Sequence, residues 1–255
     1  MEAKRIFVIL LLALSIFMSA PKAYFNITYT TTTVSLSNST TAHVVETLDL
    51  YVSNSSMSQY NQDRQAVNLT LSGWQQVIGT GSLVEHVFNP KSSIYNFTFL
   101  PGPLTSSGNG AYAILTMSYY AHNVTSVEAI QPRQFEYTFN NSVFNFQHTA
   151  SGQSLFSNSK LVLLIPNSSS VNVVYPAPDF PTPNSYGQYN GTMFIWSGGE
   201  PLQKFTFTYV VYETPQQEVL KYFINFYNSN SRAIFVMIIL FFAVLLVYIY
   251  IRVFQ

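Results

Sequence analysis

Apolar and polar residues alternate along most of this chain. In FTFTYVVY, residues 205–212, Phe205, Phe207, Tyr209 and Val211 fall on one side, and Thr206 and Thr208 fall on the other. A period of two, carried by aromatic and β-branched residues, predicts a half-buried strand. NITYTTTTVSL, AHVVETLDLYV, AVNLTLSGW, IYNFTFL, AYAILTMSYY, RQFEYTFNNSVFNF, KLVLLIP, VNVVYP and TMFIWSG repeat the pattern. Roughly eleven or twelve such strands, spaced by about 8 to 15 residues and separated by Gly, Pro, Asn and Ser, predict an all-β fold of one or two antiparallel β-sandwich domains. Asn109-Gly110 and Asn190-Gly191 have the form that two-residue hairpins prefer. The Pro-rich stretch YPAPDFPTPNSYGQY, residues 175–189, predicts a surface loop. Helical periodicity is nearly absent before residue 214.

From Thr214 the pattern changes. TPQQEVLKYFINFYNSNSR offers Thr214 as N-cap, Pro215 at N1 and Gln217 at N3, a capping-box arrangement. Val219, Leu220, Phe223 and Ile224 then recur at helical spacing, predicting a short stalk helix. Residues 233–251 form a run without charge, Pro or Gly, about 28 Å long as a helix, which predicts a transmembrane span. At the other end, Lys4 and Arg5, an apolar stretch to Met18 and the small residues Ser19, Ala20 and Ala23 have the parts of a secretory signal peptide; an uncleaved anchor is the alternative. A glycolipid-anchor signal would need a polar spacer of about 8 to 12 residues before its tail, and here NSNSR abuts the apolar run.

The expected organisation is therefore a signal peptide over 1–23, β-sandwich domains over 24–131 and 132–213 with a boundary near Pro132, a juxtamembrane helix over 214–231, a transmembrane helix over 232–252 and a cytoplasmic tail over 253–255. One larger sandwich is the alternative to two. The positive-inside rule places Lys4 and Arg5 in the cytoplasm, so the expected location is a single-pass position in the plasma membrane, with the N-terminal domain extracellular and a short C-terminal cytoplasmic tail. The lipid bilayer and other envelope or membrane proteins are the expected partners.

An exported address gives meaning to the N-x-[ST] sequons. They fall at Asn26, Asn38, Asn54, Asn68, Asn96, Asn123, Asn140, Asn167 and Asn190, so N-linked glycans are expected. Charged residues make up only 9% of the 255, against about 25% in ordinary soluble domains, and hydroxyl and amide side chains take their place. With few carboxylates there is little acid-linked stability to lose, which fits an acidic medium.

The chain has no cysteine, which excludes thiol catalysis, thiolate metal sites and iron–sulfur ligation. His43, His86, His122 and His148 are isolated in sequence, and neither Glu85-His86 nor Glu46 with Asp49 shares a strand face. No nucleophile elbow, phosphate-binding loop, dinucleotide fingerprint or zinc-protease motif is present, so no catalytic residue, metal ligand or cofactor is expected. With no basic cluster and a net charge of zero, no nucleic-acid partner is expected. The one candidate ligand surface is aromatic: Tyr175, Phe180, Tyr186, Tyr189 and Trp196 cluster among amides as sugar-stacking residues do, or else cap a core.

In its signal peptide, sequon-rich Ser/Thr/Asn/Tyr strands, lack of cysteine, scarcity of charge and C-terminal apolar run, the chain resembles the membrane-anchored envelope glycoproteins of thermoacidophilic archaea of the Sulfolobus type. Their small S-layer anchoring subunits are similar in plan, with β-sandwich domains above a C-terminal helix. The resemblance implies a non-enzymatic surface glycoprotein with a structural, adhesive or scaffolding role. The alternative is a non-catalytic accessory subunit of a glycosyl-transfer, translocation or respiratory complex, packing on a polytopic partner.

Overall fold

The structure is a computed structural model that describes residues 25–66, 73–74, 94–143, 147–149, 152–202 and 204–254. The signal peptide expected over 1–23, the sequon at Asn68 and Glu85-His86 lie outside the described residues.

Alternation builds the first sheet. Strands β1 (Phe25–Ser37) and β2 (Ser39–Ser53) form a tight antiparallel hairpin around Asn38. On β2, Val44, Glu46, Leu48, Leu50 and Val52 are buried while the residues between them face outward. After β3 (Ile94–Pro101) and β4 (Thr105–Ser107), strand β5 (Gly110–Ala121) pairs with β2 in unbroken register from Ala42 opposite Ala121 to Ser53 opposite Gly110. The β4–β5 hairpin turns on Gly108 and Asn109, one residue earlier than Asn109-Gly110 suggests, with Gly108 at φ 52° where a side chain would be strained. Asn190-Gly191 joins no hairpin, because the Pro-rich stretch before it cannot supply a ladder strand.

Strands β6 (Thr125–Gln131) and β7 (Gln134–Phe139) form a hairpin with Pro132 in its turn. The short β8 (Gln147–Thr149) and β9 (Gly152–Ser154) pair with each other. Strand β10 (Ser159–Leu164) runs parallel to β1, and after β11 (Ser169–Tyr175) comes β12 (Met193–Ser197), antiparallel to β10. The seven-stranded sheet has the order β12-β10-β1-β2-β5-β3, with β4 also on β5. With β13 (Thr206–Tyr212), a four-stranded sheet has the order β11-β13-β7-β6.

Aromatic side chains join the two sheets. Phe207 of β13 meets Phe194 of β12 edge-on at 5.1 Å, and Trp196 packs on Phe205 at the same distance. The Tyr209 hydroxyl donates to the Ser37 carbonyl at 2.9 Å, tying β13 to the end of β1. The Pro-rich loop lies along the edge of β12: Ile195 N–H donates to the Phe180 carbonyl at 2.8 Å, and Asp179 accepts from Ser197 N–H at 2.7 Å. Such a cover blunts an edge strand that would otherwise be open to pairing.

One α-helix before residue 214 departs from the all-β expectation, and a second begins where the capping box predicts it. Helix α1 (Met57–Gln65) has a polar sequence and no apolar stripe, so periodicity gives no sign of it; Tyr60 is its one buried residue. Tyr60 packs on Trp74 at 5.4 Å and donates to the Gly102 carbonyl at 2.8 Å, and Arg64 donates to the Pro101 carbonyl. Tertiary contacts rather than helix propensity hold it. Helix α2 (Pro215–Phe254) starts with a reciprocal capping box, Thr214 N–H to Gln217 Oε1 at 2.8 Å and Gln217 N–H to Thr214 Oγ1 at 3.3 Å.

The fold is thus a mixed α/β arrangement with two open sheets, a parallel strand pair and helices, not the all-β sandwich with a C-terminal transmembrane helix that alternation suggests. Alternation reports which face of a strand is buried, but says nothing of strand direction, sheet closure or a polar helix.

Among the described residues, no helix is long and apolar enough to cross a membrane. That finding corrects the transmembrane helix expected over 232–252, the lipid bilayer as a partner and the single-pass plasma-membrane location with its extracellular domain. It also corrects the functions built on that topology, the anchored surface glycoprotein and the accessory subunit on a polytopic partner. A span needs about 20 consecutive apolar residues. Helix α2 leaves helical geometry at Asn230 (φ −122°, ψ 19°), and its limb before that point carries Gln216, Gln217, Glu218, Lys221, Asn225 and Asn228.

One local conflict yields a test. Glu128 and Glu136 stand directly opposite each other across β6 and β7, and like charges in that position are destabilising by about 0.2–1 kcal/mol. Glu136 also accepts from the Asn172 amide at 2.6 Å, so it has a partner to keep. Glu128→Gln is expected to raise stability by about 0.5 kcal/mol at neutral pH, read as a higher urea midpoint with an unchanged slope. An unchanged midpoint would place the two carboxylates too far into solvent to interact.

Candidate functional site

The outward face of the seven-stranded sheet is laid out by register. One row across β1, β2 and β5 is Thr31, Thr47 and Thr116, and the next is Thr33, Val45 and Ser118. The row after that changes character: Ser35 is opposite His43, His43 opposite Tyr120, and Tyr120 opposite Tyr95 of β3. At this end the hydroxyl face becomes a run of rings. His43 lies 4.8 Å from Tyr120, Tyr120 stacks on Tyr95 at 5.3 Å, and Tyr95 stacks on His122 at 4.7 Å with 23° between planes.

Local structure puts each ring there. Between Tyr95 and Thr98 the register of β3 shifts, and the extra residue Asn96 takes φ 52°; this bulge keeps Tyr95 opposite Tyr120 while Phe97 turns back onto buried Tyr119 at 6.2 Å. His122 opens the turn after β5, where Asn123 takes φ 59°. That turn is bonded to the β1–β2 hairpin, through Val124 N–H to the Thr40 carbonyl at 2.9 Å and Thr125 Oγ1 to the Ser39 carbonyl at 3.0 Å. His43 Nε2 and Ser118 Oγ are 2.8 Å apart, and His122 Nδ1 and Thr41 Oγ1 are 3.1 Å apart, so both imidazoles are held by hydroxyls. Together with Ser35, Ser37, Ser39 and Thr41, the His43, Tyr95 and Tyr120 rings line an open cleft of about 420 Å³.

Beneath the rings, on the inner face, the Tyr119 hydroxyl donates to Oε1 of fully buried Glu46. Burial pushes the Tyr119 hydroxyl far above its ordinary value, with the charge of Glu46 and its hydrogen bond adding to the rise. This pair fixes the backbone of β2 and β5 next to His43 and Tyr120; it does not reach the cleft. Among the described residues, no group of three or more His, Asp or Glu side chains is placed to hold a metal ion.

The aromatic residues singled out in the sequence divide. Tyr175, Phe180 and Tyr186 are exposed, Tyr189 is half-buried against Phe194 at 6.1 Å, and Trp196 is wholly buried with its Nε1 donating to the Pro176 carbonyl at 3.1 Å. They do not form one ring surface. Of the sequons, Asn26, Asn38, Asn54, Asn96, Asn123, Asn167 and Asn190 are exposed. Asn140 is half-buried and donates from Nδ2 to the Asn123 carbonyl at 3.1 Å.

Sequence reasoning missed the ring cleft because His43, Tyr95 and the neighbours Tyr120 and His122 come from three distant stretches of the chain and meet only through register. The available signal was phase: the period-two pattern puts His43 and Tyr120 at outward positions of β2 and β5. No protein-family model matches the chain, and no curated protein matches it.

Proposed function

We propose that this chain is a non-catalytic carbohydrate-recognition protein, and that the ring-lined end of its seven-stranded sheet is the binding face. The single observation that carries the reading is the run His43, Tyr120, Tyr95, His122, with ring centroids 4.7 to 5.3 Å apart, the first pair tilted and the other two stacked, bordered by hydroxyls. A pyranose has apolar faces of C–H groups and a polar rim. Exposed aromatic rings accept the faces, and hydroxyls and imidazoles at the ring edges exchange hydrogen bonds with the rim.

The test is isothermal titration of the full chain with a panel of neutral hexose and N-acetylhexosamine oligosaccharides, alongside Tyr120→Ala. Tyr120 is 39% exposed, so its truncation leaves the core intact. The variant is expected to bind the preferred oligosaccharide about tenfold more weakly, equivalent to about 1.4 kcal/mol, within what one ring contact contributes. Equal binding by the variant would remove the ring face from the account.

A further inference from the structure

We infer that the saccharide in the ring cleft is the protein's own N-linked glycan, carried on the rim at Asn38, Asn96 or Asn123; this rests on the carbohydrate reading above and names the source of the ligand. The three sequons are distant in sequence and converge by the same register that gathers the rings. Asn38 is the tip of the β1–β2 hairpin, between Ser37 and Ser39, both of which line the cleft. Asn96 is the extra residue of the β3 bulge and follows Tyr95 directly. Asn123 follows His122 in the turn that is bonded to Ser39 and Thr40 of that hairpin. All three are exposed.

A glycan attached at any of these positions begins one residue from a ring or a cleft hydroxyl. Tethering converts binding into an intramolecular step at an effective concentration in the millimolar range, so a contact too weak to hold a free sugar is filled by an attached one. Bulge and turn geometry also matters. Left-handed backbone at Asn96 (φ 52°) and Asn123 (φ 59°) lifts these residues out of regular strand pairing next to Tyr95 and His122, two rings of the run. A glycan docked there would cover rings that otherwise stay wet and would shield a flat sheet face from other chains.

The experiment uses glycosylated full-length protein from its native host. Peptide mass spectrometry reads occupancy at the three positions, and titration with the panel oligosaccharides compares this protein with the triple variant Asn38→Gln, Asn96→Gly, Asn123→Gly. Glycine preserves the positive φ at the last two. The expected result is a glycan on at least one rim asparagine, with added oligosaccharide binding the triple variant about tenfold more tightly, as loss of a tethered competitor requires. Bare rim asparagines, or equal affinity in the two proteins, would overturn the inference and leave the carbohydrate reading standing. Absence of binding by both proteins would overturn both.

Discussion

Trp196→Ala is expected to destabilise the protein by about 3–5 kcal/mol, the range for removing a large aromatic side chain from a packed core. Trp196 is fully buried on β12, 5.1 Å from Phe205 and 6.1 Å from Phe207, so it sits where the two sheets meet. Its indole nitrogen donates to the Pro176 carbonyl, which links the Pro-rich loop to the same contact. Truncation removes the packing of both sheets and leaves that carbonyl without its donor. Since domains are stable by only about 5–15 kcal/mol, this is a large share of the total. Tyr186→Ala, in the same Pro-rich loop but 86% exposed, is expected to change stability by less than about 0.5 kcal/mol. Urea unfolding of the two variants checks both, and comparable losses would mean that the loop, not the inter-sheet contact, supports the fold.

Tyr119→Phe is the second large effect. It removes the hydroxyl that donates to buried Glu46, and a hydrogen bond to a carboxylate group contributes about 1.5–3 kcal/mol. The loss is expected at neutral pH, and the variant should also respond less to alkali. Burial raises the Tyr119 hydroxyl above its ordinary value, and Glu46 adds to the rise. Burial pushes Tyr60 up to about 12, opposed by Arg64, and raises Tyr209 and Tyr137 as well. A tyrosine whose folded value is raised gives up its proton more readily in the unfolded chain. Its contribution is therefore complete below about pH 10, the unfolded value, and is lost as pH rises through the folded one. Wild-type stability should fall steeply between about pH 10 and 12, and Tyr119→Phe should fall less steeply from a lower start. Parallel curves would mean that Tyr119 does not stay protonated in the fold.

Much of the strand content was legible because burial on one face imposes a period of two. Phe207, Tyr209 and Val211 are buried as the alternation in FTFTYVVY indicates, although Thr208 and Val210 between them are buried as well, and the capping box at Thr214 marks the start of α2. What was not legible depends on long-range pairing. Nothing near β10 in sequence indicates that it runs parallel to β1, and helix α1 leaves no apolar stripe because Tyr60 alone anchors it. Composition marks the residues after Asn230 as an apolar run, whereas among the described residues no helix is long and apolar enough to cross a membrane. The ring cleft was hidden for the same reason: His43, Tyr95, Tyr120 and His122 become neighbours only once β2, β5 and β3 are in register. Trp196 shows the converse, since proximity in sequence to Tyr186 and Tyr189 left a shared surface and a core cap both open, and Trp196 takes the core.

The central claim is that the His43, Tyr120, Tyr95 and His122 rings form a saccharide-binding face, and ring-proton NMR tests it most directly. On titration of the deglycosylated full chain with the panel oligosaccharides, the ring resonances of these four residues are predicted to shift together, saturably, while those of buried Trp196 and Phe207 stay fixed. Ring resonances that do not move with any saccharide, or that move no more than those of Trp196 and Phe207, would contradict it.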